Sequence, residues 1–333
     1  MLQNPVVKIA LAVAISAASI SAVSAQKLKV SSFLPPNHTF HKMLKLWSDE
    51  MSEKSNGEMS LEVFTSGQLG PPPRQFELVA AGAADLSIIL HGATPGRFPM
   101  TELAGLPLSY PSAGDLSAIT SRRLTELAPE YLAEEHAGTK IMWMAVTPPL
   151  KIHSAKADLS KLENIKGQRI RYAGAIWQQV VEKLEAVPLR IPPAQSADSI
   201  SKGVADAASF PFEATKAFDM APIIKYSLEP GIASATFAVV MNENTYNSLS
   251  PEMKKIIDDT TGPDRGEAFG KMWDDGEAEA RQYMADGGVS IVQLSDAERA
   301  TLESVVAPIS DSFIGAVNES GKPGSDFVAA YTK

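Results

Sequence analysis

The residues best placed to do chemistry in this chain are basic ones, clustered in Ile165-Lys-Gly-Gln-Arg-Ile-Arg-Tyr172. Read as an extended strand, the segment sends Arg169 and Arg171 to one face and Ile170 to the other. Arg171 falls at the C-terminal end of that strand, where open α/β sheets bind their ligands. A guanidinium there is suited to grip a carboxylate through two parallel, charge-assisted hydrogen bonds. A surface ion pair with a neighbouring acid is the alternative. Of the five histidines, His38 and His41 stand three apart and could share a helix face, but no carboxylate follows at a spacing that would complete a metal site, and a polar helix start describes them better. His91 ends an apolar run just before Gly92, where it either lines a site or caps the strand.

Little here has the pattern of an enzyme. There is no G-x-S-x-G, no glycine-rich loop for a phosphate, no Walker lysine and no dinucleotide fingerprint. With no cysteine in the chain, thiol nucleophiles, disulfides, iron–sulfur clusters and zinc–thiolate sites are all excluded. No cofactor is expected. The enzymatic alternative is a lyase or hydrolase of the periplasm that uses His91 or His153 as its base. The balance of 30 Lys+Arg against 39 Asp+Glu makes nucleic acid and anionic membranes poor partners.

The elements that must position these residues repeat. Lys27–Phe33 reads as a strand, His41–Asn56 as an amphipathic helix, Met59–Phe64 as a strand, Arg74–Ala81 as a helix primed by Pro71–Pro73, and Asp85–His91 as a buried strand. The same β-α-β-α-β order returns in Gln168–Tyr172, Gly174–Ala186, Pro188–Ile191, Ser196–Lys202 and Asp206–Phe210. The helix-to-strand corners share the letters G-x-A-D, Gly82 to Asp85 and Gly203 to Asp206. That order predicts two similar, doubly wound α/β lobes with parallel sheets around a central cleft. Pro263–Ala285 reads as a long helix, and Ser295-Asp-Ala-Glu298 as the capping box of another. The expected division is residues 26–149 plus about 232–275 for the first lobe and 150–231 plus about 276–333 for the second, joined by several crossings and a long helix.

The 333 residues suit two domains at roughly 150 residues each. Lys8, the apolar run Ile9–Ile15 and the small-residue ending Val23-Ser-Ala25 have the form of a secretory signal peptide, cut after Ala25. The apolar run is too short to span a bilayer. The mature chain is therefore expected in a Gram-negative periplasm, without insertion into the membrane.

Taken in order, Gly67-Gln-Leu-Gly70, Gly82-x-x-Asp85, Pro95-Gly-Arg-Phe-Pro99, Leu106-Pro107, Lys166-Gly-x-x-Ile-Arg171, Gly203-x-x-Asp206 and Leu249-Ser-Pro251 resemble the solute receptors of tripartite ATP-independent periplasmic (TRAP) transporters, in the DctP-like, dicarboxylate-type branch. The resemblance implies two lobes that close on a small carboxylate and hand it to a sodium-coupled permease with a small and a large membrane subunit. A ligand-presenting partner of a sensor is a further reading. The resemblance makes Arg171 the residue that pairs with the ligand carboxylate and Lys151 a second basic residue. It sets Phe210 where an Asn is frequent and Ala173 where a Pro is frequent. These departures point away from a sialic-acid-like ligand and toward a smaller or partly apolar carboxylate, aromatic ones included. Phe210, Tyr172 and Trp177 join Arg171, Lys151, His91 and His153 as expected pocket residues, although core packing suits Trp177 and Phe212 better than contact.

Overall fold

In the computed structural model, residues 26–109 and 116–333 are described; the expected signal segment, residues 1–25, lies outside them. In chain order the described strands are β1 (Gln26–Ser31), β2 (Met59–Phe64), β3 (Leu86–Leu90), β4 (Thr139–Val146), β5 (Lys151–Ser154), β6 (Arg169–Tyr172), β7 (Val187–Arg190), β8 (Ala207–Phe210), β9 (Tyr226–Glu229), β10 (Thr236–Asn242) and β11 (Ser290–Gln293). They form two sheets, ordered β2-β1-β3-β10-β4 and β11-β9-β5-β8-β6-β7. The two α/β lobes expected from the sequence are present.

Three strands of each sheet follow the expected parallel pattern: β1 pairs with β2 and β3, and β6 with β7 and β8. The fourth strand departs from it. In the first sheet β10 runs antiparallel between β3 and β4, and in the second β5 runs antiparallel between β8 and β9. Each of these strands is reached by a crossing from the other lobe, β5 by way of residues 147–150 and β10 by way of residues 230–235. The crossings lie side by side. Leu150 and Ala233 form a bridge, and Thr147 N–H donates to the Ala235 carbonyl at 2.9 Å. Pairing the two strips with each other satisfies backbone groups that would otherwise be buried without partners.

The shared G-x-A-D corners do the same work in both lobes. Gly82 and Gly203 end their helices with φ of 74° and 69°, a left-handed turn that side chains resist. Three residues on, Asp85 accepts a hydrogen bond from Lys29 N–H at 2.7 Å, and Asp206 accepts one from Arg169 N–H at 3.1 Å. Asp206 also takes Arg169 Nε and Nη2, each at 2.9 Å.

Strands β3 and β10 are buried along their whole length. Alternation therefore splits their side chains between two cores. Leu86, Ile88 and Leu90 join Trp47 and Met43 of the helix Thr39–Lys54, while Ile89 joins Phe76 and Val79 on the other face. The second core continues through Leu150, Ile232 and Ala233 of the crossings to Ile170, Trp177 and Val180 beside the second sheet. The helix Pro263–Asp286 runs from Leu116–Tyr131 in the first lobe to Phe212–Ala217 in the second. The expected division gives everything after about 276 to the second lobe, yet the last helix, Gly324–Tyr331, lies on Leu116–Tyr131: the Phe327 ring is tilted against Tyr131 with centres 5.6 Å apart, and Arg123 Nη1 donates to the Tyr331 carbonyl at 2.8 Å. Among the described residues no helix is long and apolar enough to cross a membrane.

Asp206→Ala removes three hydrogen bonds to Arg169 and is expected to lower stability by about 1–3 kcal/mol. Lys202→Ala, which breaks only an exposed i,i+4 pair, should stay within about 0.5 kcal/mol. Urea unfolding of both variants checks this, and equal effects would show that the corner is not a structural tie.

Candidate functional site

Strand β6 places its two arginines in opposite circumstances. Arg169, at the start, is partly exposed and engaged by Asp206. Arg171, at the end, is 1% exposed. Its Nε donates to the Ile191 carbonyl and its Nη1 to the Ser209 carbonyl, both at 3.0 Å, just past β7 and within β8. Its guanidinium carbon lies 4.0 Å from the centre of the Phe210 ring. None of the ion pairs among the described residues includes Arg171. Burial alone moves its pKa down to about 9, so it stays protonated at neutral pH. A buried cation with two neutral carbonyls and no counter-ion is costly until an anion joins it.

Arg171 lines a cavity with about 440 Å³ of space outside protein atoms, part of it open to solvent. Phe210, Phe218 and Pro193 of the second lobe face Phe33, Phe237 and Trp273 across it, with His38 and Thr147 as polar members. Phe237 and Trp273 meet edge to face at 5.5 Å. Such walls accept a flat apolar body, and Arg171 supplies the charge for one anionic end. On its outer side Arg171 also borders a wider cleft mouth with Tyr172 and Arg190.

The lobes meet closely around the cavity. Gly92 and Gly174 touch so tightly that a Cβ on Gly92 would lie 2.6 Å from the Gly174 Cα. Arg190 Nη2 donates to the Ala93 carbonyl at 2.8 Å. Glu213, at the start of the helix Phe212–Ala217, accepts from Thr39 N–H at 3.1 Å, Thr39 Oγ1 at 2.5 Å and Trp273 Nε1 at 3.2 Å. Its Oε2 is 3.5 Å from His38 Nε2. Burial pushes the Glu213 pKa up, but His38, Thr39 and Trp273 together leave it below the usual carboxylate value.

The structure separates the residues singled out from the sequence. Arg171 and Phe210 line the cavity, and Tyr172 lines the cleft mouth with its hydroxyl on Gln178 Oε1 at 2.9 Å. The other four lie off the aromatic cavity. Lys151 Nζ is held by the Pro149 carbonyl at 2.9 Å and Glu277 Oε1 at 2.5 Å, so its charge is spent on the long helix. His153 meets Ser227 Oγ at 2.8 Å and the Phe210 carbonyl at 3.0 Å, which makes it a brace behind Phe210. His91 is fully buried, bonded to Thr236 Oγ1 at 3.0 Å and His136 Nε2 at 3.1 Å in the core on the far side of β3. Both are fully buried and neither lines the cavity, so neither is placed to act as a base on a molecule bound there. Trp177 is buried in a smaller compartment beside the cavity.

Phe33, Phe237 and Trp273 were not expected in the wall. Phe237 arrives because β10 is antiparallel, so its first residues pair with Leu90 at the C-terminal edge of β3. Trp273 reads from its spacing as an ordinary core residue of the long helix. His41 bonds to Ser32 Oγ at 2.8 Å, and among the described residues no cluster of His, Asp and Glu could hold a metal ion.

Three comparisons bear on this geometry. The family model described as bacterial extracellular solute-binding protein, family 7 (DctP) matches residues 30–315. A TRAP solute binding protein specific for aromatic acid ligands, from an unidentified marine metagenome microbe and solved with metahydroxyphenylacetate, is 29% identical with a TM-score of 0.87, over 92% of this chain and 97% of that one. A TRAP periplasmic solute binding protein from Bordetella bronchiseptica, with bound (R)-mandelate and (S)-mandelate, is 26% identical with a TM-score of 0.85, over 92% and 98%. Among curated proteins, the outer membrane transporter protein TsaT of Comamonas testosteroni is 23% identical over 313 residues, 91% of this chain and 90% of its own.

The histidines predict how stability follows pH. Burial, the largest cause in each case, lowers His91 well below its ordinary value, His136 to about 4 and His153 to about 3. The unfolded chain therefore binds more protons than the folded one, and stability present above about pH 6.5 is lost as pH falls. Glu102, raised by burial to about 7, and Glu135, also raised, act with the opposite sign. His38 is lowered by burial in the same way, and with four buried imidazoles against two carboxyls the urea midpoint is expected to drop between pH 7 and pH 5. A midpoint that is flat or rises over that interval would show that the imidazoles take up protons without unfolding.

Proposed function

The chain belongs to the bacterial extracellular solute-binding proteins of family 7, the DctP family, and from that premise we propose that it captures a small aromatic carboxylate between its lobes for a sodium-coupled TRAP permease. As a member of that family it is a solute receptor and not an enzyme. The observation that carries the choice of ligand is Arg171, a buried cation without a counter-ion that sits on Phe210 inside an aromatic cavity. Arg171 takes the carboxylate, while Phe210, Phe237 and Trp273 pack against the ring. Lys151 and His153 act from behind, through Glu277 and the Phe210 carbonyl. The two similar proteins that bind metahydroxyphenylacetate and mandelate support a ligand of this class.

In this reading residues 1–25 are a signal peptide removed after Ala25, and the mature chain works in the periplasm. The permease's small and large membrane subunits distinguish the closed, loaded receptor from the open one, a population shift set by the ligand. The paired crossings at residues 147–150 and 230–235 are the hinge between the lobes, whose division follows the sheets. Their hydrogen bonds to each other can persist while the lobes turn about them as bodies.

Calorimetry with benzoate tests the site. Removing one half of a buried, hydrogen-bonded charge pair typically costs about 2–5 kcal/mol, roughly 30- to 5000-fold in affinity. Arg171→Ala is therefore expected to abolish measurable binding while remaining folded, and Arg171→Lys to recover part of it, since an ammonium lacks the planar fork. Wild-type affinity in a folded Arg171→Ala protein would remove Arg171 from the site.

Closure has its own readout. Small-angle scattering should show the radius of gyration falling when saturating benzoate is added. An unchanged radius, with binding established by calorimetry, would overturn the hinge.

A further inference from the structure

Beside the aromatic cavity lies a smaller compartment, with about 300 Å³ of space outside protein atoms, part of it open to solvent. The two share Leu90, Ala173 and Ala235 in their linings, so they adjoin each other. The smaller compartment is lined from both lobes, by Glu102, Gly92 and Thr236 on one side and by Gly174 and Trp177 on the other.

Two of its polar atoms have no partner among the described residues. Trp177 is 1% exposed, and its buried Nε1–H donates to nothing. Glu102 Oε1 is buried as well and accepts nothing. It lies 3.5 Å from where a Cβ on Gly92 would sit, directly at the contact between the lobes. Buried polar groups without partners are uncommon and destabilising. A donor and an acceptor left in one compartment constitute a specific demand.

We infer that this compartment recognises a hydroxyl group on the ligand, Trp177 Nε1–H donating to the hydroxyl oxygen and Glu102 Oε1 accepting its proton. A hydroxyl answers both groups at once, because one oxygen accepts and donates. A second ligand carboxylate would answer Trp177 but has no proton to offer Glu102 Oε1, and it would meet whatever negative charge that carboxyl carries. An ammonium would answer Glu102 but leave the indole N–H without an acceptor. Thr236, also in the lining, already has one bond from its Oγ1, to His91 Nδ1 at 3.0 Å, and is not among the unpartnered groups. Burial, with Glu135 next, raises the Glu102 pKa to about 7 against the pull of Arg190, so the carboxyl can sit in the closed cleft without carrying a full charge and still accept through a carbonyl-type oxygen. Arg171 and this pair thus read opposite features of one molecule, its carboxylate and its hydroxyl. The lobes must close to bring Trp177 and Glu102 to the same hydroxyl.

The inference rests on the proposed aromatic-carboxylate ligand, and calorimetry with four probes keeps the two apart: benzoate, 3-hydroxybenzoate, phenylacetate and 3-hydroxyphenylacetate. The wild-type protein is expected to bind at least one hydroxylated acid about 10-fold or more tightly than its parent, as a site built to bond a hydroxyl discriminates against its loss. In Trp177→Phe and in Glu102→Ala that ratio should fall to about 1. Two variants are used because Trp177 also belongs to the core, and Glu102→Ala reads the same ratio without disturbing that packing. Parent acids that bind wild type with no hydroxyl preference, or a preference that survives in both variants, would overturn the hydroxyl site and leave the carboxylate reading standing. Failure of all four acids to bind wild type would instead overturn the carboxylate reading, and the hydroxyl site with it.

Discussion

A buried guanidinium with no acid beside it is the constraint on which this structure turns. Arg171 is anchored by the carbonyls of Ile191 and Ser209 and lies over Phe210. Those contacts orient the cation but do not neutralise it. Desolvating an ion is expensive unless an opposite charge compensates, so the closed form is at its most stable when an anion lies against Arg171. The same low-dielectric surroundings that make the unpaired state costly make the pairing strong. Arg169, two residues earlier on the same strand, shows the contrast. It has Asp206 and serves the corner of the sheet instead.

Around that cation most of the polar side chains bond across the lobes and not into the cavity. Glu277 of the long helix takes Lys151 on one oxygen and Glu213 N–H on the other. Glu213 in turn receives Thr39 and Trp273. The long helix therefore ties the second sheet to the first helix of the other lobe through two carboxylates in series, and it carries Trp273 into the cavity wall. Since Thr39 and Glu213 belong to different lobes, their bond is available only when the lobes are together, as is the approach of Gly92 to Gly174. The crossings differ in kind. They pair with each other and not across the cavity, which is what the proposed hinge requires of them.

Much of this was legible along the chain. The β-α-β-α-β order, its repetition and the G-x-A-D corners are local patterns of period, helix stop and cap, and such patterns follow from a residue's own geometry. The position of Arg171 at a strand end was legible for the same reason. The antiparallel fourth strands were not, because strand direction depends on which lobe the chain has just left, and no local pattern in β5 or β10 records that.

For the site, the chain order by itself determined a cation at the carboxyl edge of a parallel sheet and an aromatic residue, Phe210, at the end of the last strand of the same β-α-β-α-β unit. Only the tertiary structure decided which basic groups are already neutralised. Lys151 and Arg171 are alike as charges in a sequence, but Glu277, more than a hundred residues away, reaches one and no acid reaches the other. It likewise decided that His91 faces the core, since alternation tells which residues share a face but not which face meets the other lobe. Phe237 and Trp273 in the aromatic cavity, and Trp177 and Glu102 in the compartment beside it, are brought near only after β10 returns to the first sheet and the lobes meet. The reason is physical. A pocket between two bodies is made of surfaces that are distant along the chain, and which surfaces meet is set by long-range packing.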